Sequence, residues 1–431
     1  MTFKNHEEDL IKAIADEELN ICDLTKKLIQ IPTINPPGQN YYEICKFLEE
    51  RLKKNGFKTC LLRSQGSLGD SEEFPRWNLI ARHTGASSGD CIHFNSHTDV
   101  VEPGQGWSLD PFEGIQKDGK IYGRGSCDMK GGLAASIVAA ETFIKRHPDH
   151  RGCIEISATT DEESGGFSGV EFLAKRGYFN PEKVQHVIIP EPLNKNRICL
   201  GHRGVWWAEI QTQGHIAHGS MPFLGDCAVR HMAAVIEEME QTLFPLLAMR
   251  KSEMPVVPEK AKFSSLNINS IHGGAEEQTK DYTGLPVACV PDTCKIVIDR
   301  RFLIEENIVD AKNEIIELME RICISRPSLK YQITDLFEVQ PTMTDKNAPI
   351  VKVVSQSINS ILNISPEYVI SPGTYDQKHI DRIGQLKNCI AYGPGILDLA
   401  HQPDEWIGIQ DMVESSQVMG LTISKLLNNL V

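Results

Sequence analysis

The sequence has no cysteines paired at CxxC spacing, no apolar run near the ~20 residues that a membrane-spanning helix needs, and no surplus of positive charge. Each absence removes a class of function. The twelve cysteines are scattered singly, so a structural thiolate zinc site is not expected. The nearest pair, Cys289 and Cys294, reads as a chance neighbour rather than a disulfide. With no basic–apolar–small leader at the N-terminus, the expectation is reduced thiols in a cytoplasmic protein. Lys and Arg number 44 against 58 Asp and Glu, a net charge of −14, which argues against nucleic acid or an anionic membrane as partner. Repeats and low-complexity tracts are also missing. What remains is an ordinary globular composition, 41% apolar and 24% charged. Its 431 residues suffice for two domains, because single cores seldom grow past about 250–300 residues.

Apolar periodicity predicts a helix from Glu7 to about Ile31, stopped by Pro32 and the turn Asn35-Pro36-Pro37-Gly38. A second helix runs from Tyr41 to Asn55, with Gly56 as its C-cap. Strands and helices then alternate: strands Thr59–Arg63, Asn78–His83 and Cys91–Ser96, a helix from about Gly132 to Arg146, strand Cys153–Thr160, helix Gly169–Arg176 and strand Val184–Pro190. That alternation predicts an α/β fold, a mostly parallel sheet with helices on both faces. After Gly201 the rhythm changes. Strand Val205–Thr212, a helical stretch from Asp226 interrupted near Pro245, strands Ser264–Ile271 and Cys294–Phe302, helix Glu306–Ile324 and strand Lys330–Phe337 follow the ferredoxin-like split βαβ plan. We therefore expect a smaller α+β domain at 203–328, inserted into a larger one formed by 1–202 and 329–431. The run Gly273 to Pro291 reads as a mobile loop. The larger fold resumes with a helix near Ala348–Leu362, a strand Cys389–Tyr392 and a closing helix from Asp411.

The chemistry-bearing residues sit just past the ends of apolar runs. His97 follows Cys91–Ser96, Glu162 and Glu163 follow Cys153–Thr160, Glu191 follows Val187–Pro190, and His401 lies in the segment after Cys389–Tyr392. In an open α/β sheet, ligands collect beyond the carboxyl ends of the strands. Asp128 stands in the glycine-dense turn Gly123–Gly132, where a carboxylate can bridge two cations. Asp99, in His97-Thr98-Asp99, can take the second N–H of the histidine and fix its tautomer. Of the adjacent glutamates, one can ligate while the other takes a proton from water. Taken singly, each motif also reads as something plainer: a polar turn, an N-cap aspartate, a solvated acidic loop, an exposed histidine. Together, two histidines and three carboxylates supply two N/O-coordinated ions if one carboxylate is shared, which suits Zn²⁺, with Co²⁺ or Mn²⁺ as substitutes.

At these residues the chain resembles the acetylornithine deacetylase/succinyl-diaminopimelate desuccinylase family of dinuclear zinc amidohydrolases, related to aminoacylases and glutamate-releasing carboxypeptidases. The stretches HTDVV, GRGSCDMKGG, TTDEESGG, IIPEP, GHRG, AHGSMP, DRRFLIEE, GTYDQ and AYGPG…AHQPDE carry the resemblance, in order, from about Pro32 to beyond Glu405. It implies a zinc-peptidase-like sheet and an inserted domain that acts as lid and forms a homodimer. Asp128 would bridge the ions, with His97 and Glu191 on one, and Glu163 and His401 on the other. Glu162 would be the general base and Asp99 the partner of His97. His218 would reach the oxyanion from the neighbouring subunit, Arg301 would hold a substrate carboxylate, and Gly373-Thr374 would border the substrate. Two segments depart from the family pattern: the longer stretch from Gly274 to Pro291, and Tyr375-Asp376-Gln377-Lys378-His379, which is bulkier than the small residues common after Gly-Thr. The resemblance implies hydrolysis of a small N-acyl amino acid or N-acyl diamine. The alternatives are a metallo-dipeptidase or carboxypeptidase, an N-formyl-amine deformylase, and a non-catalytic metal-binding interaction protein.

Overall fold

In the computed structural model, which describes residues 3–274 and 288–427, the chain divides into two units. Met1–Gly201, Met343–Val369 and Tyr375–Val431 form the first, and His202–Thr342 with Ile370–Thr374 the second. A nine-stranded sheet organises the first unit. At its centre Ser87–His97 lies parallel to both Arg151–Thr159 and His186–Ile189, and Cys389–Ala391 continues the parallel run. Toward the edges the pairing turns antiparallel, through Trp77–Thr84 and Lys58–Arg63 on one side and Arg197–His202 on the other. Both faces of the central strands are covered, so Cys91–His97, Gly152–Thr159, His186–Ile189 and Cys389–Ala391 are buried throughout. Helix Gly131–Arg146 is buried on all sides from Gly131 to Phe143, and its run of Gly and Ala allows this. Gly132 has to be glycine for a local reason: a Cβ there would lie 2.0 Å from the Pro190 carbonyl oxygen. The helix start is thereby pressed against the strand end that carries Glu191.

The second unit is a four-stranded antiparallel sheet in the order Ser265–Gly273, Thr293–Phe302, Gly204–Gln213, Lys330–Val339. Burial alternates residue by residue along Thr293–Phe302, so one face packs and the other does not. The packed face joins Ala208, Ile210, Ile296 and Ile298 to Met232 and Val235 of helix Ala228–Glu238 and to Ile315 and Leu318 of helix Ile308–Ser325.

The structure corrects several expectations. Lys330–Val339 pairs with Gly204–Gln213 and completes the smaller sheet, so the second unit runs on to Thr342 rather than ending at 328. The single helix expected over Glu7–Ile31 is two, Phe3–Ala15 and Glu18–Ile29. The chain re-aims between them, leaving Leu19 74% exposed although its spacing fits an apolar face. The helix expected at Gly169–Arg176 shrinks to Phe172–Lys175, because Gly169 is held against residue 160, where a Cβ would meet the Thr160 oxygen at 2.1 Å. Beyond Asp226 the helix runs as Ala228–Glu238, a widened turn at Met239–Leu243, and Phe244–Met249. Pro245 falls in the first turn of the last piece, where a missing N–H costs nothing. Cys91 and Cys153 face each other in register on neighbouring strands, with Cα atoms 4.5 Å apart, and form a disulfide, so not all thiols are free. Cys289 and Cys294 are unpaired. The loop expected at Gly273–Pro291 falls largely outside the described residues. Among the described residues, no helix is long and apolar enough to cross a membrane.

Candidate metal centre

The carboxyl ends of the parallel strands deliver the site. His97 closes Ser87–His97, the turn Glu162–Ser164 follows Arg151–Thr159, and Glu191 comes just after His186–Ile189. Asp128 stands in the turn Ser126–Lys130 that opens the buried helix, and the Asp128–Met129 peptide is cis. His401 comes after the short helical turn Leu397–Leu399, in left-handed backbone at φ 64°.

These five side chains converge. His97 Nε2 lies 3.0 Å from Asp128 Oδ1 and 3.8 Å from Glu191 Oε1. His401 Nε2 lies 3.1 Å from Glu163 Oε1 and 3.6 Å from Asp128 Oδ2. Asp128 thus presents one oxygen toward each histidine. The ligand atoms of His97, Asp128 and Glu191 fall within 4.8 Å of one another, as do those of Asp128, Glu163 and His401. Two three-ligand groups sharing a carboxylate match the needs of a cation pair.

The electrostatics point the same way. Burial and the Asp128 charge hold the Glu191 carboxyl well above its ordinary value. Burial pushes Glu163 up to about 7, although His401 pulls against it. The hydrogen bond to Glu163 raises His401 to about 9. Burial opposes a charge on His97, yet Asp128, Asp99 and Glu191 together keep it well above the usual histidine range. Acids this crowded shed their repulsion by taking up either protons or cations. The donor set, imidazole nitrogen and carboxylate oxygen, fits borderline divalent metals.

Asp99 does more than was expected of it, and by a different atom. His97 Nδ1 donates to the Asp99 backbone carbonyl at 3.0 Å, while the carboxylate lies 3.6 Å away. That carboxylate instead accepts from the Glu162 N–H (3.2 Å), the Glu163 N–H (3.1 Å) and Asn35 Nδ2 (3.1 Å). It therefore pins the turn bearing both glutamates. Glu162 belongs to neither ligand group, and its Oε1 accepts from Lys378 Nζ at 3.4 Å.

Sequence reasoning missed the supports. Glu405 Oε1 accepts from the N–H groups of Cys127 (2.8 Å) and Asp128 (3.1 Å), and its Oε2 from Arg124 Nη1 (2.6 Å). Arg124 Nη2 donates to the carbonyls of Pro103 (3.1 Å) and His401 (3.2 Å). One buried ion pair thus ties the Asp128 turn to the His401 loop. Both residues stood in quoted motifs, GRGSCDMKGG and AHQPDE, without a role. Asp161, left-handed at φ 61° just before Glu162, is held by Tyr41 Oη and Arg76 Nε, each at 2.8 Å.

The remaining candidates belong to the second unit. His218 is exposed, and its Nδ1 accepts from the Ser220 N–H at 3.1 Å. Arg301, on Thr293–Phe302, is forked onto Asp299, Nε to Oδ1 at 2.7 Å and Nη2 to Oδ2 at 3.0 Å. Gly373 and Thr374 follow strand Glu367–Ser371.

Comparison with known proteins agrees with this architecture. The chain is 28% identical over 426 residues to the succinyl-diaminopimelate desuccinylase of Buchnera aphidicola subsp. Cinara cedri (strain Cc), covering 95% of this chain and 99% of that protein. It is also 28% identical over 415 residues to the enzyme of the same name from Thioalkalivibrio sulfidiphilus (strain HL-EbGR7), covering 94% and 98%. Its fold is similar to the crystal structure of human carnosine dipeptidase 1, with a TM-score of 0.75 at 17% identity over 98% of this chain and 99% of that one. The description of Peptidase family M20/M25/M40 matches residues 93–425. On that match the chain belongs to Peptidase family M20/M25/M40, and metal-dependent hydrolysis of amide bonds is its chemistry.

Proposed function

We propose that the protein removes the acyl group from a small N-acyl amino acid or N-acyl diamine, releasing a carboxylate and a free amine. His97, Asp128 and Glu191 would hold one Zn²⁺, and Asp128, Glu163 and His401 the other, with Co²⁺ or Mn²⁺ able to substitute. Bound there, the ions would polarise the amide carbonyl and make water a stronger acid. The observation that carries the reading is Glu162, which adjoins Glu163 in the chain and whose charge acts on Glu191, yet which belongs to neither ligand group. Glu162 takes a proton from the attacking water and later hands it to the leaving amine. Its backbone N–H is fixed by Asp99, which narrows where the carboxylate can reach. His218, from the second copy in a homodimer, donates a hydrogen bond to the developing oxyanion. Arg301 receives a substrate carboxylate, and Gly373-Thr374 line the substrate.

The names of the two desuccinylase relatives favour a deacylase. Likeness in fold to a dipeptidase keeps cleavage of a dipeptide as the second reading. The test is amine release from N-succinyl-diaminopimelate, N-acetyl, N-succinyl and N-formyl amino acids, and dipeptides, with Zn²⁺ or Co²⁺ added. A succinyl or acetyl substrate should be cleaved fastest, and a chelator should stop it. Cleavage of dipeptides alone would replace the deacylase reading, and no cleavage with both ions bound would end it.

A further inference from the structure

A polar seam runs through the middle of the larger sheet. Strands Ser87–His97 and Arg151–Thr159 pair with His93 opposite Glu155, Asn95 opposite Ser157 and His97 opposite Thr159. Side chains alternate along a strand, so these six share one face, while Ile92, Phe94, Ile154, Ile156 and Ala158 take the other. All six are buried. Polar groups in such a place are costly unless bonded, and here four of the six, Glu155, His93, Ser157 and Asn95, are linked in one chain. Arg82 Nη1 donates to Glu155 Oε2 at 3.1 Å, and Glu155 Oε1 meets His93 Nδ1 at 2.9 Å. His93 Nε2 meets Ser157 Oγ at 2.7 Å, Ser157 Oγ donates to Asn95 Oδ1 at 2.7 Å, and Asn95 Nδ2 donates to Asp376 Oδ2 at 2.9 Å. The serine has one proton and gives it to Asn95, so His93 is the donor to Ser157. The other oxygen of Asp376 is buried and has no hydrogen-bond partner among the described residues, where the Asn95 bond is the one that holds this side chain.

Asp376 precedes helix Gln377–Arg382, and Lys378 lies in its first turn. Lys378 is 2% exposed, and among the described residues its ammonium group has one hydrogen-bond partner, Glu162 Oε1. We propose that the seam is a positioning device for Glu162. Asn95 fixes the side chain of Asp376, the N-cap residue whose backbone carbonyl accepts from the His379 N–H at 3.1 Å, and Lys378 in that first turn is thereby held against the carboxylate of Glu162. The need is physical. Glu162 adjoins Glu163, a residue of one ligand group, and an untethered carboxylate there would swing onto an ion as a further ligand. An ammonium group on the other side keeps it free to move a proton. With so little of its surface open, Lys378 acts through Glu162 rather than on substrate. The bulky segment after Gly373-Thr374 gains a purpose from this, since it carries both Asp376 and Lys378.

The proposal rests on Glu162 as general base, so the test includes Glu162→Gln as a reference. For the fastest substrate of the panel, Lys378→Met should lower kcat about ten- to hundredfold, as misplaced catalytic groups do. KM and bound zinc per chain should hold, and Lys378→Arg should recover part of the loss. Asn95→Leu should act in the same direction, and the double variant should be no worse than Lys378→Met alone. If Asn95→Leu does not fold, Ser157→Ala deletes one hydroxyl of the chain and should show a smaller loss of kcat. Crystals of zinc-loaded Lys378→Met should show the Glu162 carboxylate displaced. A raised KM with kcat unchanged, multiplying effects of the two variants, or an unmoved Glu162 would overturn the proposal. An active Glu162→Gln would overturn the general-base reading instead, and the position of Glu162 in Lys378→Met would still decide whether the seam holds it.

Discussion

Glu162 and Glu163 are neighbours in sequence, and position alone separates the opposite duties proposed for them. Glu163 lies 3.1 Å from His401 within a ligand group, whereas Glu162 meets Lys378 outside both groups. Glu162→Gln should therefore keep two zinc ions per chain and an unchanged melting temperature while kcat falls by several powers of ten. Metal analysis beside steady-state kinetics checks it, and a parallel loss of zinc would make Glu162 a ligand. Glu405 predicts the converse pattern. Its carboxylate holds the Asp128 turn by two N–H groups and engages Arg124, which caps the His401 carbonyl. Glu405→Ala should weaken zinc binding about ten- to hundredfold, the usual cost of losing a support behind metal ligands, and added zinc should restore kcat. Chelator competition measures the affinity. The five ligand-group residues were legible in the sequence because each must be an acid or imidazole at a strand end or glycine turn. Arg124, Glu405 and Lys378 were not, because a buried ion pair between distant segments leaves no local pattern.

At the scale of elements, helix Tyr41–Lys54 is joined to edge strand Lys58–Arg63 by one carboxylate. Glu49 accepts from Lys46 Nζ at 2.7 Å and from Thr59 Oγ1 at 3.1 Å, and pairs with Lys53 Nζ at 2.9 Å. The hydrogen bonds of Lys46, then Lys53, hold its carboxyl at about 2 against an ordinary 4.5. A lowered carboxyl contributes stability that is complete above its unfolded value and is lost as pH falls through its folded value. The natural chain should lose that contribution between about pH 4.5 and 2, and Glu49→Gln should lose less over the same interval. Urea unfolding at several acid pH values would show the difference. Strands and helices with one strong period were legible, among them Tyr41–Lys54, Thr293–Phe302 and Ile308–Ser325. The breaks were not. Residues 16–17 interrupt a run whose apolar spacing continues through Leu19, and Gly169 shortens a helix because of Thr160, a contact made by folding. The disulfide depended in the same way on strand register, which spacing in sequence does not reveal.

For the whole molecule, the question is whether one chain holds a complete site. The metal ligands and Glu162 lie in the first unit, and His218 in the second. If His218 serves the site of a second copy, the two residues used in one reaction come from different chains. Glu162→Gln and His218→Ala homodimers should each be nearly inactive. Dissociated, mixed and reassociated, they should form heterodimers in which one site has both Glu162 and His218 intact while the other lacks both. Half of the dimers formed from equal amounts would then carry one working site, and activity should rise to about a quarter of the natural level by that count of sites. Were His218 to serve its own chain, every site in every mixed dimer would lack one of the two groups. Mixing would then recover nothing, so the assay separates a shared site from a self-contained one even though both arrangements predict the same two inactive parents.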